Sequence, residues 1–230
     1  MPLLLCAENL SKIYNRRKPD EMTALEDVSL EIRCGEVVAL TGPSGSGKTT
    51  LLSLLGCMSR PTAGVVKLHE RQVSKLPEHF MARIRRETFG LVFQQYHLLR
   101  EVSVLENVML PLYPTDLSPQ AMKKAAHSVL ERFEMLDKQH KKVRQLSGGE
   151  QQRTALARAL VGQPEIVIAD EPTAHLDSRL AGELLEIFRE LNTEGKTIII
   201  ATHDPTVIGS TVVQRSIQLR HGRLVGDNEP

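Results

Sequence analysis

The spacing of apolar residues changes several times along the chain, and each change predicts a new element. Apolar and polar residues alternate over residues 3–10 and 28–32, which predicts two half-buried strands that we expect to be antiparallel. Residues 37–40 are all apolar, as in a strand buried on both faces. Leucines at helical spacing after Lys48 predict a helix over residues 48–57. The other elements predicted in this half are strands at residues 64–68 and 89–93.

The middle of the chain has a different pattern, because prolines interrupt it and helical spacing replaces alternation. Ser118 is predicted to cap a helix over residues 118–135, with Pro119 at its first position. The elements predicted after it are a helix at residues 150–161, a strand at 165–169, a helix at 178–191, a strand at 197–201 and strands around 212–219.

Strands that alternate with helices predict an α/β fold with a largely parallel sheet. The first strands predict an N-terminal antiparallel β subdomain, and the middle of the chain predicts an α-helical lobe. We expect a single domain over residues 1–230, with its core at residues 1–93 and 162–230 and the lobe at residues 94–161.

Composition disfavours several classes of partner. Lys and Arg total 29 and Asp and Glu total 28, so the net charge is +1 and no polyanion is implied. Aromatic residues do not interleave the arginine clusters, so we expect no nucleic acid partner. Three cysteines without CxxC spacing are typical of isolated buried thiols in a reducing cytosol. No stretch approaches the ~20 apolar residues of a membrane-spanning helix, so we expect membrane contact only through a partner.

A glycine-rich segment follows the buried strand directly. Residues 42–50, "GPSGSGKTT", match the pattern GxxxxGK[ST] of a phosphate-binding loop between a strand and a helix. Glycines let backbone N–H groups converge on phosphate oxygens, and the positive end of the next helix points at the same anion. Lys48 would neutralise the β- and γ-phosphates, and the Thr49 hydroxyl would bind Mg²⁺. The residues predicted to bind the nucleoside triphosphate here are Gly42, Pro43, Ser44, Gly45, Ser46, Gly47, Lys48, Thr49 and Thr50.

Two carboxylates end a second apolar strand, in the stretch "IVIADE". Hydrolysis needs a ligand for the metal and a group that positions water. Asp170 is predicted to bind Mg²⁺, and Glu171 is predicted to polarise the attacking water.

The segment "LSGGEQQR" at residues 146–153 carries a resemblance to a known family. It is similar to the signature of ATP-binding cassette (ABC) transporter ATPases, and the resemblance covers essentially the whole chain with its motifs in the expected order. The resemblance implies the P-loop NTPase fold of ABC ATPases, ATP and Mg²⁺ as ligands, and ATP hydrolysis coupled to transport or mechanical work. It also implies that Ser147, Gly148, Gly149 and Glu150 contact ATP at a helix N-terminus.

The same resemblance assigns roles to isolated residues. Tyr14 would stack on adenine, and Gln94, with Gln95 as the alternative, would sense Mg²⁺ and contact the membrane partner. His203 in "ATHD" would contact the γ-phosphate, and Asp177 in "AHLD" would connect two active sites. The catalytic residues expected are Lys48, Glu171 and His203, and the metal-binding residues expected are Thr49, Gln94 and Asp170.

His175 departs from the family pattern, in which serine or asparagine precedes Leu-Asp. A titratable group near the expected subunit interface would add pH sensitivity, and an ordinary tolerated substitution is the other interpretation.

The resemblance also implies partners. In the family the signature segment closes on ATP held by a second copy, so two chains would enclose two nucleotides head to tail, and ATP would drive a conformational cycle. Integral membrane permease subunits would be the other partners, with a coupling helix docked on the lobe at roughly residues 94–144. The implied location is peripheral, on the cytoplasmic face of the inner (plasma) membrane.

Two further stretches resemble one branch of the family. "LLSLLGCMSRPTAG" at residues 51–64 and "VLENVMLPL" at 104–112 are similar to the lipoprotein-release and macrolide-efflux class, although Met58 and Ser59 depart from its usual Leu-Asp. Members of that class use ATP to move large extracytoplasmic domains of a permease. Two alternatives stay open: the ATPase of a polar amino-acid importer, and a regulatory cell-division ATPase that transports nothing.

Overall fold

The structure is a computed structural model, which describes residues 1–174 and 176–228. The hypothesis of pH sensitivity at His175 therefore lies outside the described residues. The strands are β1 (Leu3–Tyr14), β2 (Met22–Arg33), β3 (Val37–Thr41), β4 (Ala63–Leu68), β5 (Arg71–Gln72), β6 (Phe89–Val92), β7 (Ile166–Asp170), β8 (Thr197–Thr202), β9 (Arg215–Arg220) and β10 (Arg223–Asn228). The helices are α1 (Lys48–Leu55), α2 (Glu78–Thr88), α3 (Val104–Met109), α4 (Pro119–Arg132), α5 (Gly148–Leu160), α6 (Ser178–Thr193) and α7 (Pro205–Ile208).

The first two strands form the predicted antiparallel pair and extend beyond the predicted ends. β1 and β2 pair from Leu3 opposite Arg33 to Tyr14 opposite Met22. The predicted alternation is wrong for β1, because residues 4–7 are all buried and residues 11–14 are all half-buried. Backbone pairing with β2 nevertheless continues to Tyr14. With β4 and β5 they form a four-stranded sheet in the order β2-β1-β4-β5.

A six-stranded sheet in the order β10-β9-β3-β8-β7-β6 confirms the largely parallel sheet. Five of these strands run parallel, and β10 pairs antiparallel with β9 at the edge. The carboxyl ends of β6, β7, β8 and β3 therefore lie along one side of the sheet, here called the sheet edge. There Thr41 pairs with Thr202, and Asp170 pairs with Ala201.

Buried side chains form two clusters, one on each face of this sheet. Along β8, Ile198 and Ile200 belong to the first cluster, and Ile199 and Ala201 belong to the second. The first cluster is shared with helices α3 to α6, and the second is shared with α1 and the antiparallel sheet. Because both faces are covered, the central strands are apolar throughout, as residues 37–40 predict.

The segment between β6 and β7 is helical, as predicted. It contains α3, α4 and α5 with 3-10 turns at Leu110–Leu112, Leu136–Lys138 and Val143–Gln145. Ser118 Oγ accepts a hydrogen bond from Ala121 N, which confirms the predicted cap of α4. The division of the chain at residues 94 and 161 stays a prediction, since the lobe and the sheet share one cluster of buried side chains.

Two expectations from composition can be compared with this fold. Cys6, Cys34 and Cys57 are free thiols, as their spacing predicts, although Cys34 is only half-buried. In the part of the chain that the structure describes, no helix has both the length and the hydropathy to cross a membrane.

Candidate active site

The segment at residues 42–50, here called the phosphate loop, joins the carboxyl end of β3 to the start of α1. Two of its glycines have conformations and surroundings that exclude a side chain. Gly42 has φ +145, and a Cβ there would lie 2.3 Å from Leu219 O. Gly47 has φ +106, and its Cβ would lie 2.8 Å from Ala24 O. The loop therefore packs closely on neighbouring backbone at positions where only glycine fits.

Lys48 is the first residue of α1 and its side chain folds back over the loop. It is buried, and its Nζ donates to Gly42 O at 2.7 Å and to Pro43 O at 3.3 Å. The same Nζ lies 3.6 Å from Glu171 Oε1. A cation thus lies between the phosphate loop and the carboxylate at the end of β7, where it can neutralise a phosphate.

Two buried polar atoms at this edge of the sheet, Ser46 Oγ and Asp170 Oδ1, have no hydrogen-bond partner among the described residues. A buried carboxylate oxygen without a donor costs free energy, so a ligand is expected to complete it. Asp170 and Thr49 line a shared cavity of about 30 Å³. Burial raises the pKa of Asp170, and the Thr49 side chain partly offsets that shift. A hydroxyl beside an unpaired carboxylate oxygen is a donor set that fits Mg²⁺.

Glu171 and His203 follow the ends of adjacent strands and contact each other. Glu171 Oε1 lies 2.8 Å from His203 Nδ1, and Glu171 Oε2 accepts from His203 N at 3.4 Å. The Glu171 side chain is 13% exposed and that of His203 is 69% exposed. Glu171 has φ 46, a left-handed conformation that non-glycine residues rarely adopt and that often occurs at functional sites. The structure thus brings together all three predicted catalytic residues.

Gln94 and Tyr14 lie at the ends of strands that flank the site. Gln94 follows β6, whose last residue Val92 pairs with Ala169 of β7, and its side chain is exposed. Tyr14 ends β1 opposite Met22, and β2 continues from there past the phosphate loop. Lys12 Nζ lies 5.1 Å from the centre of the Tyr14 ring, so one face of the ring already contacts a cation. Their predicted roles stay predictions.

The segment at residues 146–150, here called the signature segment, begins α5 with a capping box. Ser147 Oγ accepts from Glu150 N at 3.4 Å, and the Glu150 carboxylate accepts from Ser147 N at 2.7 Å. Lys138 Nζ lies 2.7 Å from Glu150 Oε1. This hydrogen-bonded ion pair, together with the Ser147 bonds, lowers the pKa of Glu150 to about 2.

The signature segment faces a cleft of about 520 Å³ that is separate from the phosphate loop. Ser147, Gly148 and Gly149 line the cleft together with Tyr96 and Arg179. Among the described residues, none from the phosphate loop lines it. Within one chain, the predicted nucleotide-binding residues therefore form two groups.

Asp177 lies at the start of α6 and caps that helix. Its Oδ1 accepts from Leu180 N at 2.9 Å, and Leu180 lines the same cleft as the signature segment. The cap explains an aspartate at this position by itself. The predicted role in connecting two active sites stays a prediction.

Two further contacts, one beside the site and one on α5, were not predicted from the sequence. Asp204 caps α7 through Thr206 N and accepts from Thr173 Oγ1 at 2.8 Å, which ties the segment after Glu171 to the segment after His203. Aspartate followed by Pro205 is a helix-start pattern that could have predicted the cap. Arg158 of α5 donates to the carbonyl of His97, and no local signal marks it, because an arginine on an amphipathic helix is normally exposed.

Comparisons with known proteins agree with this geometry. A family model described as "ABC transporter" matches residues 25–174, which is more than half of the chain. The ABC transporter ATP-binding protein YvrO of Bacillus subtilis is 41% identical over 97% of this chain and 96% of that protein. The macrolide export ATP-binding/permease protein MacB of Hyphomonas neptunium is 45% identical over 99% of this chain and 35% of that protein. The chain therefore spans about a third of the length of such MacB relatives.

A solved structure has the same fold. The ATP-binding cassette MJ0796, in a dimeric post-hydrolysis state bound to ADP and Pi, matches with a TM-score of 0.89 and 36% identity, over 98% of each chain. The chain therefore belongs to the ABC transporter family, as one of its ATP-binding and ATP-hydrolysing subunits.

Proposed function

We propose that two copies of the chain close head to tail on two ATP molecules, so that each ATP lies between the phosphate loop of one copy and the signature segment of the other. One observation carries this proposal: within the described residues of one chain, Ser147 lines a cleft that contains no residue of the phosphate loop, although Lys48 in that loop and the helix start at Ser147 both present groups that bind anions. MJ0796, which matches along nearly its whole length, was solved as a dimer, which supports the same arrangement here.

The residues at the sheet edge divide the work of hydrolysis. Lys48 neutralises the β- and γ-phosphates, and Glu171 accepts a proton from the attacking water. His203 orients that carboxylate through Nδ1, which leaves its other ring nitrogen available to the γ-phosphate. Thr49 and Asp170, which line one cavity, would hold Mg²⁺. Gln94 would be a further ligand, as the resemblance implies. The bound metal would neutralise charge on the phosphate oxygens.

The change Glu171→Gln tests the dimer and the catalytic base together. The amide cannot accept the proton, so we expect turnover to fall by about 10²–10⁴-fold while ATP still binds. The trapped protein should be dimeric with ATP and monomeric without it, as measured by light scattering. Glu131→Gln on the exposed face of α4 is the matched control. Unchanged hydrolysis, or a monomer at saturating ATP, would contradict the proposal.

We further propose that a permease segment docks in a groove of about 810 Å³ between α2, β6 and the end of α5. Its apolar lining includes Phe89, Leu91, Phe93, Pro111, Pro114 and Pro164. The arginines that line it are Arg83, Arg85, Arg86 and Arg158. An amphipathic helix with acidic flanking residues fits this lining. The groove follows the border of the lobe, so many of its lining residues lie outside the range 94–144 expected from the resemblance.

The relatives favour a branch of the family for this subunit. Because they include macrolide export proteins that join an ATP-binding part to a permease, we infer that the chain powers a permease of the lipoprotein-release or macrolide-efflux type. The comparisons do not favour the amino-acid importer or the cell-division regulator. The corresponding location is the cytoplasmic face of the inner membrane, reached through the permease.

Photo-crosslinking in cells tests the docking site. A benzoylphenylalanine at His79, which lines the groove, should crosslink to an integral membrane protein. The same probe at the exposed Val225 should not crosslink, because β10 and β6 are the two outermost strands on opposite sides of the sheet. Crosslinks from Val225 alone would place the partner elsewhere, and the sequence of the captured permease would distinguish the export class from the alternatives.

A further inference from the structure

The guanidinium of Arg158 has an unusual set of partners. It projects from α5, where its Nη1 donates to His97 O at 2.7 Å and its Nη2 donates to Tyr96 O. Burial lowers the pKa of Arg158. No carboxylate within residues 1–174 and 176–228 makes an ion pair with it, so backbone carbonyls are its hydrogen-bond acceptors. An arginine fork suits two neighbouring carbonyl oxygens, because its N–H groups are rigid and diverge.

The two carbonyls belong to a tight turn just after Gln94. Tyr96 has φ 56 and His97 has φ 45, and both conformations are uncommon for residues with a side chain. Such a turn persists only when its surroundings hold it in place. Asn107 of α3 bonds both backbone groups of Leu99, so the far end of the turn is also anchored.

Arg158 and the signature segment lie on the same helix. α5 begins directly after Ser147 and continues past Arg158 to Leu160. A helix held by its internal hydrogen bonds moves as a rigid element. A displacement of the turn after Gln94 would therefore be passed to the end of α5 that carries the signature segment.

We propose that Arg158 is a positioning residue that fixes the turn after Gln94 to α5 and thereby holds the signature segment in the position from which it meets the second copy. This inference rests on the proposed function, since it requires the signature segment to act on nucleotide. It assigns Arg158 no contact with ATP.

The test uses the Glu171→Gln protein, in which ATP-driven dimers accumulate. Adding Arg158→Met removes the fork and keeps an unbranched apolar stem, so we expect about tenfold weaker ATP-driven dimerisation. ATP binding by the monomer should stay within about twofold, because the phosphate loop is untouched. Amide hydrogen exchange at residues 96–99 should rise, with no change in α1. Arg158→Lys keeps the charge and can reach one carbonyl, so its ATP-driven dimerisation and its amide exchange should be intermediate. This variant carries the test if the Met variant does not fold.

Arg132→Met is the matched control. Arg132 lies on α4 and pairs with Glu194 and Glu190, so its loss removes an arginine from the same lobe without touching the turn. It should leave both dimerisation and exchange at residues 96–99 unchanged. If Glu171→Gln itself does not dimerise, the proposed function fails. If Glu171→Gln dimerises and the Arg158 variants dimerise equally well with unchanged amide exchange, the proposed link is wrong. It is also wrong if the Arg158 variants lose ATP binding by the monomer as much as they lose dimerisation.

Discussion

At the carboxyl edge of the parallel sheet, Ser46 Oγ and Asp170 Oδ1 are buried without partners among the residues that the structure describes, whereas at the start of α5 the polar groups of Ser147 and Glu150 bond each other. Both regions lie at helix N-termini, which favour anions, but only the first has buried polar atoms that a ligand would complete. We therefore expect most of the affinity for nucleotide to come from the sheet edge. The signature segment is already a stable helix start, which suits a surface that meets its ligand only when a second copy approaches.

The largest expected effect comes from the sheet edge. Lys48→Ala removes the buried cation between the phosphate loop and Glu171. ATP affinity measured by calorimetric titration should fall by about 100-fold or more, because charge-assisted hydrogen bonds to phosphate are lost. Lys124→Ala, on the exposed face of α4, should bind normally. Unchanged ATP affinity in the Lys48 variant would show that the sheet edge does not supply most of the affinity for nucleotide.

Mixing two inactive variants tests whether the regions complement each other between chains. Lys48→Ala and Ser147→Arg should each abolish turnover, since each damages both sites of a homodimer. Mixed dimers would hold one intact site, so an equimolar mixture should recover at most about a quarter of wild-type ATPase activity. A mixture as inactive as its components would show that both groups are needed within one chain.

A smaller effect separates capping from catalysis at the signature segment. Ser147 and Ser118 both cap helices through their hydroxyls, at the starts of α5 and α4. Either change to Ala should cost about 1 kcal/mol in the free energy of unfolding measured with denaturant. Only Ser147→Ala should also lower the ATPase rate, by about tenfold if one phosphate hydrogen bond is lost. Equal ATPase rates in the two variants would show that Ser147 acts only as a helix cap.

The smallest expected effect concerns acid stability. The pKa of Glu150 lies at about 2 in the folded protein, below its ordinary value of 4.5, because of Lys138 and Ser147. A lowered folded-state pKa stabilises the protein above the unfolded value, and that contribution is lost as the pH falls towards 2. The difference in unfolding free energy between wild type and Glu150→Gln should be under about 1 kcal/mol near neutral pH. It should shrink between pH 4.5 and 2, and a difference that grows on acidification would contradict the assigned pKa.

Several elements were not predictable from the pattern of the chain. α2 has a single buried residue, Met81, and most of its other residues are polar or charged, so its low apolar content does not mark it as part of the core. α3 is six residues long, too short for a repeat to be recognised. β10 is a mostly exposed edge strand, which is stabilised by backbone pairing with β9 rather than by an apolar face.

The sequence by itself determined the chemistry of each contiguous segment of the site. The phosphate loop, the Asp170–Glu171 pair and the capping box of Ser147 are each set by a few neighbouring residues at a strand end or a helix start, so their local geometry follows from residue types and spacing.

Only the tertiary structure decided which segments meet. Parallel pairing of β3, β7 and β8 brings Lys48, Glu171 and His203 together, and the same packing leaves Ser147 in another cleft and places Arg158 on the turn after Gln94. These contacts join residues far apart along the chain. They depend on strand order and on the burial of two apolar faces, which the residue pattern of any one segment does not contain.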